Sequence, residues 1–389
     1  MIDYEDIFEK FKDKYNLECG KILGKGGFGM VREIIMKGRT YAGKLVKNNA
    51  KKDNKKGNVN ENEDNNNIIL FLQNPNIIKI YKIYQESFEN YEKEKEIYNL
   101  IILEKANLKD LRTLVNYIYN DSGKLINKAF SEIIGNNLLI FFTKQLINGL
   151  EILERNELIH FDIKPQNILI FTKLSLKLSD FGLLREVNKI EKIRIPGGTP
   201  GYLPPDYYKY KRQNIYVNDA KKQDYFALGA TLFLLKYNQR MIKVKNFKRA
   251  NRSEENLLNQ EYIIDMIPTI ITLIKSNNAS DRDFNDFLCS LIQIEPDDRP
   301  SFEEIYRNKW VNKNGKYISQ IVNCFSYDEY YLMKELRKSD FLIEKKQEKQ
   351  YIKRNKFIFK FKKKNKKYNN NNNSNSASTE SKTENDNLF

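Results

Sequence analysis

One short stretch constrains this chain more than any other: His160-Phe161-Asp162-Ile163-Lys164-Pro165-Gln166-Asn167-Ile168-Leu169. It sets a carboxylate, an ammonium and a carboxamide within six residues and then runs into an apolar strand. Asp162 can accept a hydroxyl proton, Lys164 can neutralise a transferring phosphoryl group, and Asn167 offers an oxygen to a hard cation. Asp180-Phe181-Gly182 follows a second apolar strand, Leu174–Leu178, and an Asp at a strand end beside glycine is well placed for Mg²⁺.

Upstream, GKGGFGMV sets glycines at 24, 26, 27 and 29, then Val31. Glycine lets a backbone approach phosphate oxygens and offers N–H donors with no side chain in the way. Glycine-rich turns are common, so this pattern alone is a weak signal. The next strand, YAGKLV, carries Lys44 among small and apolar residues. A buried lysine needs an anionic partner, and a phosphate would serve; the alternative is an edge lysine that snorkels to water.

Composition closes off several classes. The 389 residues are 40% hydrophobic, enough for a sizeable core in one large domain with extras or in two domains. Cys19, Cys289 and Cys324 are odd in number and far apart, which argues against a disulfide framework. With a single histidine there is no Cys/His cluster for zinc. A reduced intracellular, cytoplasmic setting is expected. No apolar run approaches the ~18 residues of a membrane span. The start, MIDYEDIFEKFKDKY, is charged from Asp3 onward, so no secretory signal is expected.

Periodicity predicts an amphipathic helix over 1–15, strands from Leu17 to Val46, a polar insertion over 47–67, and strands at 77–85 and 97–103. A helix is expected over 135–156, short strands and loops over 158–206, and mostly helix from 220 to 310. Residues 311–343 read as one or two further helices. Residues 344–368 hold twelve Lys/Arg against two Glu, and the Asn/Ser-rich end reads as disordered.

Taken together, the chain resembles the eukaryotic protein kinase family. The matching order is GxGxxGxV (24–31), AxK (42–44), HxDxKxxN (160–167), DFG (180–182), GTPGYLPPD (198–206), DYFALG (224–229) and DRP (298–300). The resemblance covers about 15–310, with 1–14 a helical extension, 311–343 another and 344–389 a tail. It implies an α+β, two-lobed fold, with a small mainly β N-lobe over about 15–103 and a larger mainly α C-lobe over about 107–310.

The resemblance also implies roles for matched residues. Leu23, Gly24, Gly26, Gly27 and Gly29 would cover ATP, and Lys44 would pair its α/β-phosphates. Val31, Ala42 and Leu169 would sandwich the adenine. Leu103 matches the gatekeeper, and Glu104 and Ala106 would supply hinge backbone bonds. Asp162 would be the catalytic base, Lys164 would contact the γ-phosphate, and Asn167 and Asp180 would hold Mg²⁺. Asp206, in place of the usual Glu, would pair with Arg299, and Asp224 would tie the catalytic-loop backbone. His160 would stack with Phe181, Ile69 and Ile80. Lys164 with Thr199 resembles serine/threonine-specific members. The implied activity is transfer of the ATP γ-phosphoryl group to protein hydroxyls; the alternative is a pseudokinase scaffold.

The sequence departs from the family pattern elsewhere too. Phe161 replaces the arginine that binds a phosphorylated activation loop. The stretch from Leu183 to Gly198 has no Ser, Thr or Tyr. An activation loop not switched by phosphorylation is therefore expected. The helix-C glutamate is missing; its place falls on Asn65, with Glu61 one turn earlier. Gln166 replaces a Glu found in some basic-directed kinases.

The net charge of +16 is not the catalytic domain's alone. After Ile343, thirteen Lys/Arg less five Asp/Glu leave about +8. The run KRNKFIFKFKKKNKK, with Phe357, Phe359 and Phe361, fits an anionic membrane, nucleic acid, an acidic protein or a nuclear import signal, and equally a solvated tail.

Overall fold

A computed structural model describes residues 4–26, 29–48, 69–89, 94–118, 136–187, 191–210, 213–237, 241–242, 252–276 and 281–312. The insertion, the helix-C register at Glu61 and Asn65, Gly27, and everything after residue 312 lie outside them.

The first helix, α1 (Tyr4–Tyr15), opens with Glu5 and Asp6 and closes with Lys12 and Lys14, the charge order its dipole favours. Ile7, Phe8 and Phe11 fall on one face and are fully buried. They pack on the outer face of an antiparallel sheet made of β1 (Glu18–Gly26), β2 (Gly29–Met36), β3 (Arg39–Asn48), β4 (Ile80–Glu89) and β5 (Lys95–Leu103), in the order β1-β2-β3-β5-β4. Met30, Ile34, Leu45, Leu100 and Ile102 meet the helix there. The period-2 alternation then sends Val31, Lys44 and Ile101 to the inner face. Gly29 is held at φ +141, where a Cβ would lie 2.0 Å from the Leu45 carbonyl oxygen, so only glycine fits at the base of the glycine-rich turn.

The second pair of strands differs from its expected limits at both ends. Residues 77–79 leave the sheet because Ile77 bridges to Leu178 and the Ile78 N–H donates to the Leu178 carbonyl at 2.9 Å. Asn76 completes this anchor. Its Nδ2 donates to Leu176 O at 2.7 Å, and its Oδ1 accepts from Asn148 Nδ2 at 2.7 Å. At the other end, pairing of Glu86 through Glu89 with Lys95 through Tyr98 lengthens the hairpin.

The rest is mainly helical. α2 (Leu111–Ile118) and α3 (Asn136–Arg155) precede the short strands β6 (Leu158–Ile159), β7 (Ile168–Phe171), β8 (Ser175–Leu178), β9 (Arg185–Glu186) and β10 (Lys192–Arg194). Then come α4 (Pro205–Tyr210), β11 (Asn214–Tyr216), α5 (Val217–Tyr237), α6 (Arg252–Ser276), α7 (Arg282–Leu291) and α8 (Phe302–Arg307). Thirteen residues of α5 are buried, which makes it the central helix of this half. Ser301 and Glu304 form a capping box on α8, and Trp310 packs on Phe284 and Phe287 at 4.9 and 5.5 Å. β6 pairs with β9, β7 with β8, and β10 with β11. Among the described residues no helix is long and apolar enough to cross a membrane.

Candidate active site

The loop between β6 and β7 carries Asp162, and both its carboxylate oxygens are engaged. Thr199 Oγ1 donates to Oδ1 at 2.6 Å. Lys164 Nζ at 2.6 Å and Asn167 Nδ2 at 2.9 Å donate to Oδ2. Lys164 Nζ also reaches Thr199 Oγ1 at 2.7 Å. A hydroxyl, an ammonium and a carboxylate thus close a three-membered cluster, with an amide fixing the loop from behind.

That loop is held from below. Asp224, buried in α5, accepts the backbone N–H of His160 at 2.8 Å and of Phe161 at 2.9 Å. Burial pushes the Asp224 carboxyl up to about 7, against the two N–H donors that favour its charged form. Phe161 sits at φ +62, a strained setting for an aromatic residue worth roughly 1–3 kcal/mol. The Asp224 bonds and the burial of its ring hold it there.

His160 is fully buried, and burial lowers its pKa below the ordinary imidazole range despite nearby Asp162 and Asp180. Its Nδ1 accepts the Asp162 N–H at 3.2 Å, so Nε2 carries the proton and donates to Ser179 O at 3.1 Å. The ring lies 5.1 Å from that of Phe181. Phe181, Ile80 and Ile69 are each buried.

Lys44, on the inner face of β3, has one partner among the described residues: Asp180 Oδ1, at 2.5 Å. Burial raises the Asp180 carboxyl, but the Lys44 charge and hydrogen bond outweigh it and hold Asp180 below the usual carboxylate range. Asp180 adopts φ +62 and ψ +69, which turns the chain into the short 3-10 segment Phe181–Leu183. Lys44, Leu103, Ile80, Asp162, Asp180 and Phe181 line one cleft of about 360 Å³.

The donor set suits Mg²⁺. Asn167 spends its Nδ2 on Asp162, which leaves Oδ1 with no donor among the described residues. Asp180 engages Lys44 through one oxygen only. No group of three or more His, Cys, Asp or Glu could close around a metal among the described residues. One amide oxygen and one carboxylate, with room for phosphate oxygens and water, is how this hard ion is held.

At the nucleotide end, Gly24 pairs with Val31 and Gly26 with Gly29. Ala42 pairs with both Glu33 and Leu103, and Leu23 is 38% exposed at the rim. Leu169 lies on β7 and bridges to Asp110. The Glu104 N–H is spent on Lys79 O at 3.0 Å, so only its carbonyl is left for a base. The Glu104 carboxylate is clamped by Lys177 at 2.7 Å. Asp110 escapes a motif search, yet it stands beside Leu169 and caps α2 through Thr113 N at 2.8 Å. Its Asp-x-x-Thr spacing is the available sequence signal.

The segment after Phe181 packs into a buried apolar cluster. Phe161 shares a buried apolar cluster with Ile159, Val187, Ile193, Ile195, Leu203 and Tyr207. Gly198, at φ +153, packs so closely on Leu203 and the Phe161 carbonyl that a Cβ would meet them at 2.6 and 2.9 Å. Beyond it, Asp206 Oδ1 accepts from Arg299 Nη2 at 2.5 Å, and the Arg299 side chain has no exposed surface.

A family model described as Protein kinase domain matches residues 17–311. Serine/threonine-protein kinase 17A of Oryctolagus cuniculus is 26% identical over 317 residues, 79% of this chain and 69% of that protein. A probable cell cycle serine/threonine-protein kinase CDC5 homolog of Encephalitozoon cuniculi is 26% identical over 315 residues, 80% of this chain and 57% of its own length. Rhodopsin kinase GRK1 of Rattus norvegicus is 28% identical over 288 residues, 73% of this chain and 44% of its own length.

Proposed function

The chain belongs to the protein kinase family, of the serine/threonine type, and we propose that it is an active kinase. In this reading it transfers the ATP γ-phosphoryl group to protein Ser/Thr hydroxyls and needs no phosphate on its own activation segment. The observation that carries the reading is the Thr199–Asp162–Lys164 cluster, where a hydroxyl already donates to Asp162 Oδ1 beneath a lysine that touches both.

A substrate hydroxyl in that position passes its proton to Asp162 as its oxygen bonds to the γ-phosphorus and the bond to the ADP oxygen breaks. Lys164 neutralises charge on the transferring group, and Lys44 does so nearer the leaving group. Asn167 and Asp180 would hold Mg²⁺, which when bound supplies further charge neutralisation. The buried cluster around Phe161 and Ile195 supports the second half of the reading. It docks the activation segment through apolar packing where a phosphate and an arginine would otherwise meet.

The competing reading, a scaffold without turnover, draws on the pairing of Lys44 with Asp180 rather than with a helix-C acid. Phosphatase-treated protein assayed for Mg²⁺-dependent transfer to a generic protein substrate separates the two. Transfer lost in Asp162→Asn supports the kinase; nucleotide binding with no transfer by wild type supports the scaffold.

A further inference from the structure

The two-stranded sheet β10–β11 has two unlike faces. Ile193 and Ile215 point inward and are buried in the cluster around Phe161. Lys192 and Arg194 alternate with Ile193, Asn214 and Tyr216 alternate with Ile215, and all four are exposed. The register sets Lys192 opposite Tyr216 and Arg194 opposite Asn214. Lys192 Nζ lies 4.4 Å from the Tyr216 ring centroid. Neither cation meets a carboxylate among the described residues.

The acids described above are committed elsewhere, Asp180 to Lys44. Asp162 holds Lys164 and Thr199, Glu104 holds Lys177, and Asp110 caps α2. Gln166, exposed beside the catalytic loop, is neutral. A basic substrate finds no unengaged carboxylate among these residues, whereas an acidic one finds two cations that meet no carboxylate among the described residues.

We infer that the outer face of β10–β11 is a specificity element that reads anionic side chains of the protein substrate, an inference that rests on the kinase reading above. Reach agrees with it. Arg194 stands five positions before Thr199, whose hydroxyl touches Asp162, a span of at most ~18 Å in extended chain. An extended substrate covers the same distance in about five residues. Gly197, between Arg194 and Thr199, carries no side chain, and a Cβ there would meet nothing within 4 Å. Because the inner face is pinned by apolar packing, the backbone beneath the cations is already ordered, and only their side chains lose freedom at the moment of binding.

The test compares full-length protein on Ser peptides that carry glutamate, phosphoserine, glutamine or lysine within five residues of the acceptor. The expected result is a kcat/KM about tenfold higher for anionic than for glutamine peptides, carried mainly by KM and fading with salt. Lys192→Glu/Arg194→Glu should reverse the preference, and Lys192→Gln/Arg194→Gln should abolish it. Preference for phosphoserine over glutamate would assign the face to phosphorylated substrates, and parity to acidic ones. Equal rates on all peptides, or a preference that survives both double variants, would overturn the inference while leaving the kinase reading intact. No transfer to any peptide or generic protein would overturn both.

Discussion

Phe161 of the catalytic loop and Ile195 of the activation segment are buried in one apolar cluster, 4% and 3% exposed. The first stands where the family pattern has an arginine. The second lies in a stretch with no hydroxyl residue from Leu183 to Gly198. In the reading proposed above, packing stands in for that pair. A buried ion pair traded for well-packed apolar groups is often neutral or stabilising.

Phe161→Ala should destabilise the protein by about 3–5 kcal/mol through the cavity it opens. Phe161→Arg should be worse for activity, since an uncompensated guanidinium would sit among Val187, Ile193 and Ile195. Phe161→Leu should keep most of both. Urea denaturation with a parallel kinase assay reads the series; a Phe161→Arg protein as stable and active as wild type would refute the packing account.

His160 is the only histidine, so one imidazole signal reports on the catalytic loop. Its folded pKa is lowered, whereas the unfolded value is ~6.5. As pH falls the unfolded chain takes the proton first. The stability from burying a neutral ring is therefore full above ~6.5 and is lost as pH falls toward the folded pKa. Nitrogen-15 NMR should show the Nε2–H tautomer with no titration near 6.5; a midpoint there would contradict the buried geometry.

Asp206→Ala should cost about 3–5 kcal/mol, because it leaves a buried guanidinium without its carboxylate. Asp206→Glu, which keeps the charge, should cost far less. A loss of equal size in both, read from chemical denaturation, would place the cost in shape rather than charge.

Phe8→Ala should destabilise the N-lobe by about 3–5 kcal/mol. The ring is part of the cover on Met30, Leu45 and Leu100, so the loss should appear first as faster hydrogen exchange in β2, β3 and β5. Unchanged exchange in those strands would mean that α1 is not part of the lobe's core.

The spacing of catalytic groups was legible because each motif is local. Asp162, Lys164 and Asn167 meet through contacts of two to five residues. The helical faces of α1 and α3 were legible for the same reason: periodicity is a local property. Contacts across long separations were not. Nothing near Lys44 in the chain points to Asp180, 136 residues away. β4 starts three residues later than its apolar pattern predicts: Ile77 and Ile78 are as apolar as strand residues, yet their backbone is claimed by Leu178. The pairing of β10 with β11 has no sequence signal, because three-residue strands carry too little alternation.

The most direct test of the central claim is phosphate transfer from γ-labelled ATP by protein first treated with phosphatase, with mass spectrometry confirming that no residue from Leu183 to Tyr202 is modified. Mg²⁺-dependent labelling of a protein substrate at undiminished rate, abolished in Asp180→Ala, is the predicted result. Activity that appears only after phosphate is installed on Thr199 or Tyr202, or no transfer by wild type under any condition, would contradict it.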